Sequence, residues 1–424
     1  MKKLLLITYY WPPSGGAGVQ RWLKLSKYLA LQGTEVHILT VNPDQASYTT
    51  IDHSLLKDVH AKLHIHQTDS FEIINYYSKV VGKKNVPSAG FSNVNNDSFL
   101  QKTVNSLRSN FFIPDPRRGW NKYAYKKAKE IITEHNIQTV ITTSPPHSTQ
   151  LIGLKLKEKL NINWIADLRD PWTDIYYYHL LGHSRWSKRI DKKMEKNVIE
   201  RSDRILTVSK GLLEIFSSKS DQNIRDKIKL IPNGYDPDDF SQPLNSPKQE
   251  NSFVIAYTGT MSNQYAPEVF FDALNKVKTT KRVKVQFIGS IASDILAKIR
   301  DKDYEVEVIP TVPHDQIVTF QRSADALLLV IPKVSNAKGI LTGKLFEYLA
   351  SYKPIVGIVP EESDAREIIE DCKAGICFTR NESERLAAEL TKLINSESNE
   401  IKPDKTKIQS FSREHQAIQI QKLL

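Results

Sequence analysis

Four short stretches hold side chains that could do chemistry. The first runs from Gly339 through Ile340, Leu341, Thr342 and Gly343 to Lys344, with Glu347 about one helical turn further on. A glycine loop opening a helix presents unpaired backbone N–H groups and the positive end of the helix dipole, which suits a phosphate. Lys344 in the first turn opposes that dipole unless an anion answers it, and Glu347 lies within reach of the same ligand. An ordinary α/β crossover with an outward lysine and a surface glutamate would look the same, and both readings stand. The second stretch is Gly15-Gly16-Ala17-Gly18, which permits close backbone approach to a phosphate or sugar, or simply a tight turn. In the third, Thr143-Ser-Pro-Pro-His147, a neutral imidazole at a strand end could hydrogen-bond a sugar or move a proton; a purely structural histidine is the alternative. The fourth is Asp167-Leu-Arg-Asp170. Charges at a buried strand end are costly unless paired or functional, so Asp167 and Arg169 read as an internal ion pair and Asp170 as directed at a ligand cleft.

These groups need elements to position them. Ala326–Ile331 reads as a buried strand, Leu345, Phe346, Leu349 and Ala350 share a helical face, Lys353-Pro354 stops that helix, and Ile355–Val359 is the next strand. Near the N-terminus, Leu4–Thr8 is an apolar strand. A helix follows with Val19, Trp22, Leu23, Leu25, Tyr28 and Leu29 on or near its buried face, then Gly33 and the strand Glu35–Val41. A dinucleotide fingerprint is incomplete there. Gly16-Ala-Gly18-Val-Gln-Arg21 lacks the third glycine, and the second strand lacks the acidic ribose ligand, which argues against nicotinamide or flavin. Further strands are expected at Ile137–Thr142, Trp164–Asp167 and Arg204–Val208, with Ser209 capping a helix. Asp236–Ser252 is polar and aperiodic and reads as a domain boundary. A fresh α/β run starts at Phe253–Thr258 and ends with a helix around Glu382–Ile394. The expected organisation is a domain over 1–240, a second over 241–404, and a C-terminal helical segment, 405–424, returning to the first.

The net charge of +11 is unevenly spread: the first 200 residues hold 28 basic and 17 acidic groups, and the remaining 224 hold 31 of each. The N-terminal half should therefore favour an anionic partner: a phospholipid surface, a diphosphate or nucleic acid. Aromatic residues interleave with basic ones at 70–81, 99–112 and 174–198, which fits either an anionic membrane surface or the covering of a domain. Cys372 and Cys377 match neither a zinc nor a redox spacing, so reduced cytosolic thiols are expected. The start imitates a signal peptide, but its apolar part is short and Pro12-Pro13 follows, so it reads as a first strand. No stretch is long and apolar enough to span a bilayer.

Taken in order, Tyr10-Trp-Pro-Pro-Ser-Gly-Gly16, Thr143-Ser-Pro-Pro-His147, Asp167-Leu-Arg-Asp-Pro-Trp172, Ile231-Pro-Asn-Gly-Tyr-Asp236, Tyr257-Thr-Gly259 and Lys344-Leu-Phe-Glu-Tyr-Leu-Ala350 resemble the family-4 retaining glycosyltransferases, especially bacterial enzymes that build surface polysaccharides on lipid carriers. The resemblance covers nearly the whole chain. It implies a GT-B fold, α/β with two Rossmann-like domains facing a cleft. It implies a nucleotide diphosphate sugar as co-substrate, with no cofactor and no metal. Glu347 would take the ribose hydroxyls. The N–H groups of Gly339, Ile340, Leu341, Thr342 and Gly343, with Lys344 and Gly259, would hold the diphosphate, and Gly15 and Gly16 would close over it. His147 would contact the transferred sugar, with Arg169 and Asp170 beside it. Two positions depart from the family pattern. Gly339 stands where the first glutamate of a Glu-x7-Glu pair belongs, and Thr258-Gly-Thr-Met-Ser262 replaces an Arg and a Lys. Lys344 and Arg169 are the residues that could restore the missing charge.

The expected function is sugar transfer, with retention, to a lipid-linked or other glycan acceptor, in the cytoplasm or peripherally at the inner membrane face, without nucleic acid. The alternatives are a sugar-nucleotide epimerase on the same fold and a non-catalytic nucleotide-sugar-binding partner.

Overall fold

The computed structural model describes residues 1–71, 110, 112–241, 251–299, 304–396 and 401–424. The aromatic–basic segments at 70–81 and 99–112 lie almost entirely outside the described residues. The chain divides into two compact units, Met1–Pro232 with Ala417–Leu424, and Asn233–Gln416.

In the first unit the strands are β1 (Lys3–Ile7), β2 (Glu35–Val41), β3 (His64–Thr68), β4 (Thr139–Ser144), β5 (Asn163–Leu168), β6 (Arg204–Thr207) and β7 (Ile228–Leu230). They pair in parallel in the order β3-β2-β1-β4-β5-β6-β7. The helices α1 (Ala17–Leu31), α2 (Asn121–His135), α3 (Ser148–Lys159), α4 (Arg185–Arg201) and α5 (Lys210–Ser217) connect them. Parallel strands are covered on both faces, so they read as unbroken apolar runs; Leu4, Leu5, Leu6 and Ile7 are all fully buried. The strand order reverses between β1 and β4. At such a switch point the connections leave to opposite faces of the sheet and open a crevice at the carboxyl ends of the strands.

The second unit repeats the plan with β8 (Ser252–Thr258), α6 (Glu268–Leu274), β9 (Arg282–Ile288), α7 (Ser293–Lys298), β10 (Glu305–Ile309), α8 (His314–Ser323), β11 (Ala326–Val330), α9 (Gly343–Ser351), β12 (Ile355–Ile358), α10 (Asp364–Asp371), β13 (Gly375–Phe378), α11 (Ser383–Ile394) and α12 (Lys405–Gln409). The sheet order is β10-β9-β8-β11-β12-β13, so the switch point lies between β8 and β11. Both sheets are α/β and doubly wound, as the sequence leads one to expect.

The division between the units falls upstream of the polar stretch 236–252. Tyr235 N–H donates to the Phe411 carbonyl at 3.3 Å and Arg413 N–H to the Tyr235 carbonyl at 2.8 Å, so the segment after Pro232 already belongs to the second unit. Nor does the whole segment 405–424 return to the first unit. Ile408 is buried in the second unit's core, and only Ala417–Leu424, the end of helix α13 (Arg413–Gln421) and beyond, joins the first. There Ala417 and Ile420 pack with Leu4, Leu6, Leu23 and Val36, because that half of the helix carries the apolar side chains that β1 and α1 leave uncovered. Among the described residues no helix is long and apolar enough to cross a membrane.

Candidate functional site

At the switch point of the second unit, β8 ends at Thr258 and the chain turns at Gly259, whose φ of +102° is open only to glycine at low cost. A Cβ there would lie 3.1 Å from the Nζ of Lys344. Lys344 is the second residue of α9. Its ammonium is buried without a hydrogen-bond partner among the described residues, and it lies 3.9 Å from the centre of the Tyr257 ring. Burial brings its pKa down to about 7, against an upward pull from Glu347. The hydroxyl of Thr342, at the N-cap, is also buried and unpartnered, and makes no capping bond. A Cβ added at Gly343 would meet no atom within 4 Å, so nothing in the chain's own packing requires glycine there. Leu345 N–H already donates to the Thr342 carbonyl at 3.2 Å, so the helix start offers the N–H groups of Gly343 and Lys344, a hydroxyl and a cation, all lacking a protein acceptor among the described residues; the chemistry they share is recognition of an anion.

One turn on, Glu347 is held from behind. Gln321, fully buried on α8, donates from Nε2 to Glu347 Oε2 at 2.8 Å and to Thr258 Oγ1 at 3.2 Å. The Tyr348 hydroxyl accepts from Thr258 N–H at 2.9 Å. This chain of bonds fixes the start of α9 against the end of β8. Gly339 ends a short 3₁₀ turn, Ala337–Gly339, and Ile340, Leu341 and Thr342 lead from it into α9.

In the first unit, the candidate residues gather at the carboxyl ends of β1, β4 and β5. Gly15 N–H donates to the Thr50 carbonyl at 2.9 Å, and Gly16, with φ +96°, occupies the N-cap of α1. Arg169 ties three loops together: Nη1 donates to the Gly18 carbonyl at 2.8 Å, Nε to the Ser144 carbonyl at 3.0 Å, and Nη2 to the Pro145 carbonyl at 3.5 Å. The expected Asp167–Arg169 pair is the weaker of two. Arg169 Nε stands 3.9 Å from Asp167, whereas Arg21 Nη2 reaches it at 3.1 Å with both side chains buried, and Trp22 Nε1 and Thr143 Oγ1 each donate to Asp167 Oδ2 at 2.7 Å. Asp167 is therefore a structural anchor between α1 and β5. Asp170 follows half-buried, its carboxyl pKa pushed upward chiefly by burial, with Arg169 pulling it down.

His147 stacks on Trp172 with ring centres 4.8 Å apart and 11° between planes, and its Nδ1 is buried without a partner among the described residues. Burial, then the nearby charges of Lys219 and Arg169, bring its pKa down to about 3. Of the roles open to it in the sequence, this disfavours proton transfer near pH 7 and leaves hydrogen bonding by a neutral ring or a purely structural part. The residue after it, Ser148 at the start of α3, is docked by Asp115, whose carboxylate accepts from Ser148 N–H at 2.7 Å and Ser148 Oγ at 2.8 Å.

The family models settle what these two units belong to. Residues 86–239 match the model described as Glycosyltransferase Family 4, and residues 252–396 match that described as Glycosyl transferases group 1. The chain is a glycosyltransferase of the family-4 type. Among solved structures, it is similar to sucrose-phosphate synthase (tll1590) from Thermosynechococcus elongatus, at TM-score 0.64 and 14% identity, over 100% of this chain and 98% of that one. It is similar to Anabaena Alr3699/HepE in complex with UDP, at TM-score 0.63 and 13% identity over 100% and 99%. It is also similar to the lipopolysaccharide outer core galactosyltransferase WaaB, at 0.57 and 14% over 100% of each chain. Identities this low speak for the shared GT-B fold alone. No sequence among the curated proteins matches this chain significantly.

Three residues of this glycosyltransferase escape sequence reasoning. Gln321 and Tyr257 look like ordinary helix and strand residues until tertiary structure sets one behind Glu347 and the other under Lys344. Arg21 reads as part of a failed dinucleotide motif, yet it is fully buried and serves Asp167 and the Pro232 carbonyl, the latter at 2.8 Å. The third aromatic–basic segment, 174–198, is also sorted by the fold. The α4 helix turns Asp191 and Glu195 inward, where Asp191 accepts from Trp172 Nε1 at 2.8 Å and from the Tyr178 hydroxyl at 2.7 Å. Its outer face exposes Arg185, Trp186, Arg189, Lys192 and Lys193.

Proposed function

We propose that this glycosyltransferase moves a sugar, with retention, from a nucleotide diphosphate sugar to a lipid-linked acceptor at the cytoplasmic membrane face, in the building of a surface polysaccharide. The observation that carries the donor half is the buried, unpartnered ammonium of Lys344 at the open start of α9. A cation removed from water is costly unless an anion joins it, so the site is complete only with a ligand such as a diphosphate. The N–H groups of Gly339 and Ile340 already donate to the Asn336 and Ala337 carbonyls at 3.3 and 3.2 Å, so in this reading those of residues 341–343, with Lys344, hold the diphosphate beside Gly259, and Glu347, braced by Gln321, accepts from the ribose hydroxyls. Negative charge grows on the departing diphosphate as the sugar becomes oxocarbenium-like, and fixed N–H dipoles and a cation in a dry site are what stabilise it. Lys344 then stands in for the Arg and Lys missing after β8. For the first unit the proposed roles are a sugar contact for His147, positive charge from Arg169 and a polar contact from Asp170.

The solved relatives include HepE bound to UDP and to UDP-glucose, which supports a uridine donor. The basic outer face of α4 with its exposed Trp186 supports a membrane-side acceptor. A second reading, a non-catalytic nucleotide-sugar binder, is favoured by the two departures from the family pattern: no carboxylate at Gly339, and Thr258-Gly-Thr-Met-Ser262 in place of an Arg and a Lys.

The deciding experiment is thermal-shift screening against UDP-, GDP- and other nucleotide sugars, with Glu347→Ala alongside. Stabilisation by one nucleotide, lost in the variant, is expected; stabilisation by none, or equally in the variant, would reject the donor site. Sugar transfer abolished in Glu347→Ala with folding intact would then eliminate the non-catalytic reading. The anomeric configuration of the product, read by NMR coupling, tests retention. Turnover of a UDP-sugar without acceptor would point to an epimerase instead.

A further inference from the structure

At the opposite end of the first unit's sheet, four histidines and a glutamate converge. Parallel pairing sets His37 of β2 beside His64 of β3, with His66 two residues on, so these three side chains share one face. The end of α2 covers that face and brings in His135. The rings of His64, His66 and His135 lie 4.7, 5.3 and 4.3 Å from that of His37, which is itself 1% exposed.

We propose that Glu35, His37 and His135 form a binding site for one divalent transition-metal ion of the zinc class. Each offers a ligand atom, and these atoms lie within 4.8 Å of one another. Glu35 Oε1 and His37 Nε2 are 3.0 Å apart. Two imidazoles and a carboxylate suit zinc, nickel or copper rather than calcium or magnesium. Around a tetrahedral zinc with bonds of about 2.0–2.2 Å, ligand atoms stand roughly 3.4 Å apart. The Glu35–His37 spacing is already near that value, and the half-buried His135, last residue of α2, has to close the remainder. The outer shell is also in place. His37 Nδ1 lies 3.0 Å from His66 Nε2, an arrangement that holds the ring with Nε2 facing Glu35 when Nδ1 carries the proton. One group competes: Lys3 Nζ is 3.4 Å from Glu35 Oε1 and donates to the His135 carbonyl at 3.1 Å. Its side chain is 36% exposed, so the ammonium can swing into water when a metal arrives.

The cluster sits at the amino ends of the strands, away from the loops after β1, β4 and β5. The ion would therefore pin the start of β2 to the end of α2 and take no part in sugar transfer.

The test uses the metal-stripped full chain and Zn2+ alone. Expected are a rise in melting temperature, one equivalent of zinc retained through desalting, and a tetrahedral visible spectrum with Co2+. Glu35→Gln and His135→Ala, both at half-buried positions, should each weaken zinc binding by more than roughly tenfold. Lys3→Met, which removes only the competing charge, should tighten it. No stabilisation and no retained zinc would overturn the proposal. So would zinc binding that is unchanged in Glu35→Gln and Lys3→Met, which would place the ion at other histidines. None of these readouts involves a nucleotide sugar, so failure here is distinct from failure of the donor site.

Discussion

The ammonium of Lys344 rests 3.9 Å from the centre of the Tyr257 ring and has no carboxylate or carbonyl in hydrogen-bond contact among the described residues. An aromatic face replaces part of a cation's lost hydration, but far less than an ion pair would. The lysine is therefore poised: its pKa stands at about 7, and a bound anion would restore its charge. Nucleotide binding should then take up protons. Affinity for a nucleoside diphosphate is expected to fall as pH rises from 7 to 9, because the ammonium must be re-protonated to bind. Calorimetry in buffers of different ionisation enthalpy measures the uptake directly. Lys344→Met should bind more weakly and without that pH dependence; an unaltered pH profile would sink the assignment.

Gly259 is pinned from two sides. Its φ of +102° penalises any side chain, and a Cβ would press on Lys344 Nζ at 3.1 Å. Gly259→Ala is expected to cost about 1–3 kcal/mol from backbone strain. Because the lysine head can shift where the backbone cannot, nucleotide affinity should fall further than stability alone explains. Denaturant unfolding alongside nucleotide titration separates the two effects. Equal stability in variant and parent would contradict the strain argument.

Arg21 and Asp167 form a buried pair at 3.1 Å. Arg21→Met leaves a buried carboxylate with only Trp22, Thr143 and the more distant Arg169, and removes the donor to the Pro232 carbonyl. Breaking such a pair by removing one partner typically costs about 3–5 kcal/mol, and a loss near the lower end is expected because two donors remain. Urea unfolding measures it. A loss within the range of exposed substitutions, below about 0.5 kcal/mol, would mean that Arg21 anchors nothing.

His147 makes an acid-stability prediction. Its pKa is about 3 in the folded chain against 6.5 for the free side chain, so the unfolded chain binds the proton more readily. Stability contributed by the neutral ring is present above pH 6.5 and is lost as pH falls towards 3. His147→Phe keeps a ring on Trp172 but cannot titrate. The parent should lose more stability than this variant between pH 7 and pH 5, read as the difference in urea midpoints. Parallel pH profiles would show that the imidazole is not held neutral.

Local rules act over a few residues, and where they suffice the sequence was enough. The apolar runs Leu4–Thr8 and Ala326–Ile331 read as buried strands, and the fold places β1 and β11 there. The change to helical period after Gly343 located α9, with Lys344 and Glu347 one turn apart. Pairings between distant segments were another matter. Asp167 looked bound to its neighbour Arg169, but Arg169 lies just past the end of β5 and stands 3.9 Å away, while an arginine delivered by a separate helix comes to 3.1 Å; only packing α1 against β5 brings Arg21 there. Gln321 behind Glu347, Tyr257 beneath Lys344, and His37 with His135 likewise meet through sheet order and helix docking, for which no local spacing codes. The unpaired state of Lys344 belongs to the same class. A lysine at a helix start is ordinary in sequence; burial without a counter-charge is a property of its surroundings, and the folded chain alone decides it.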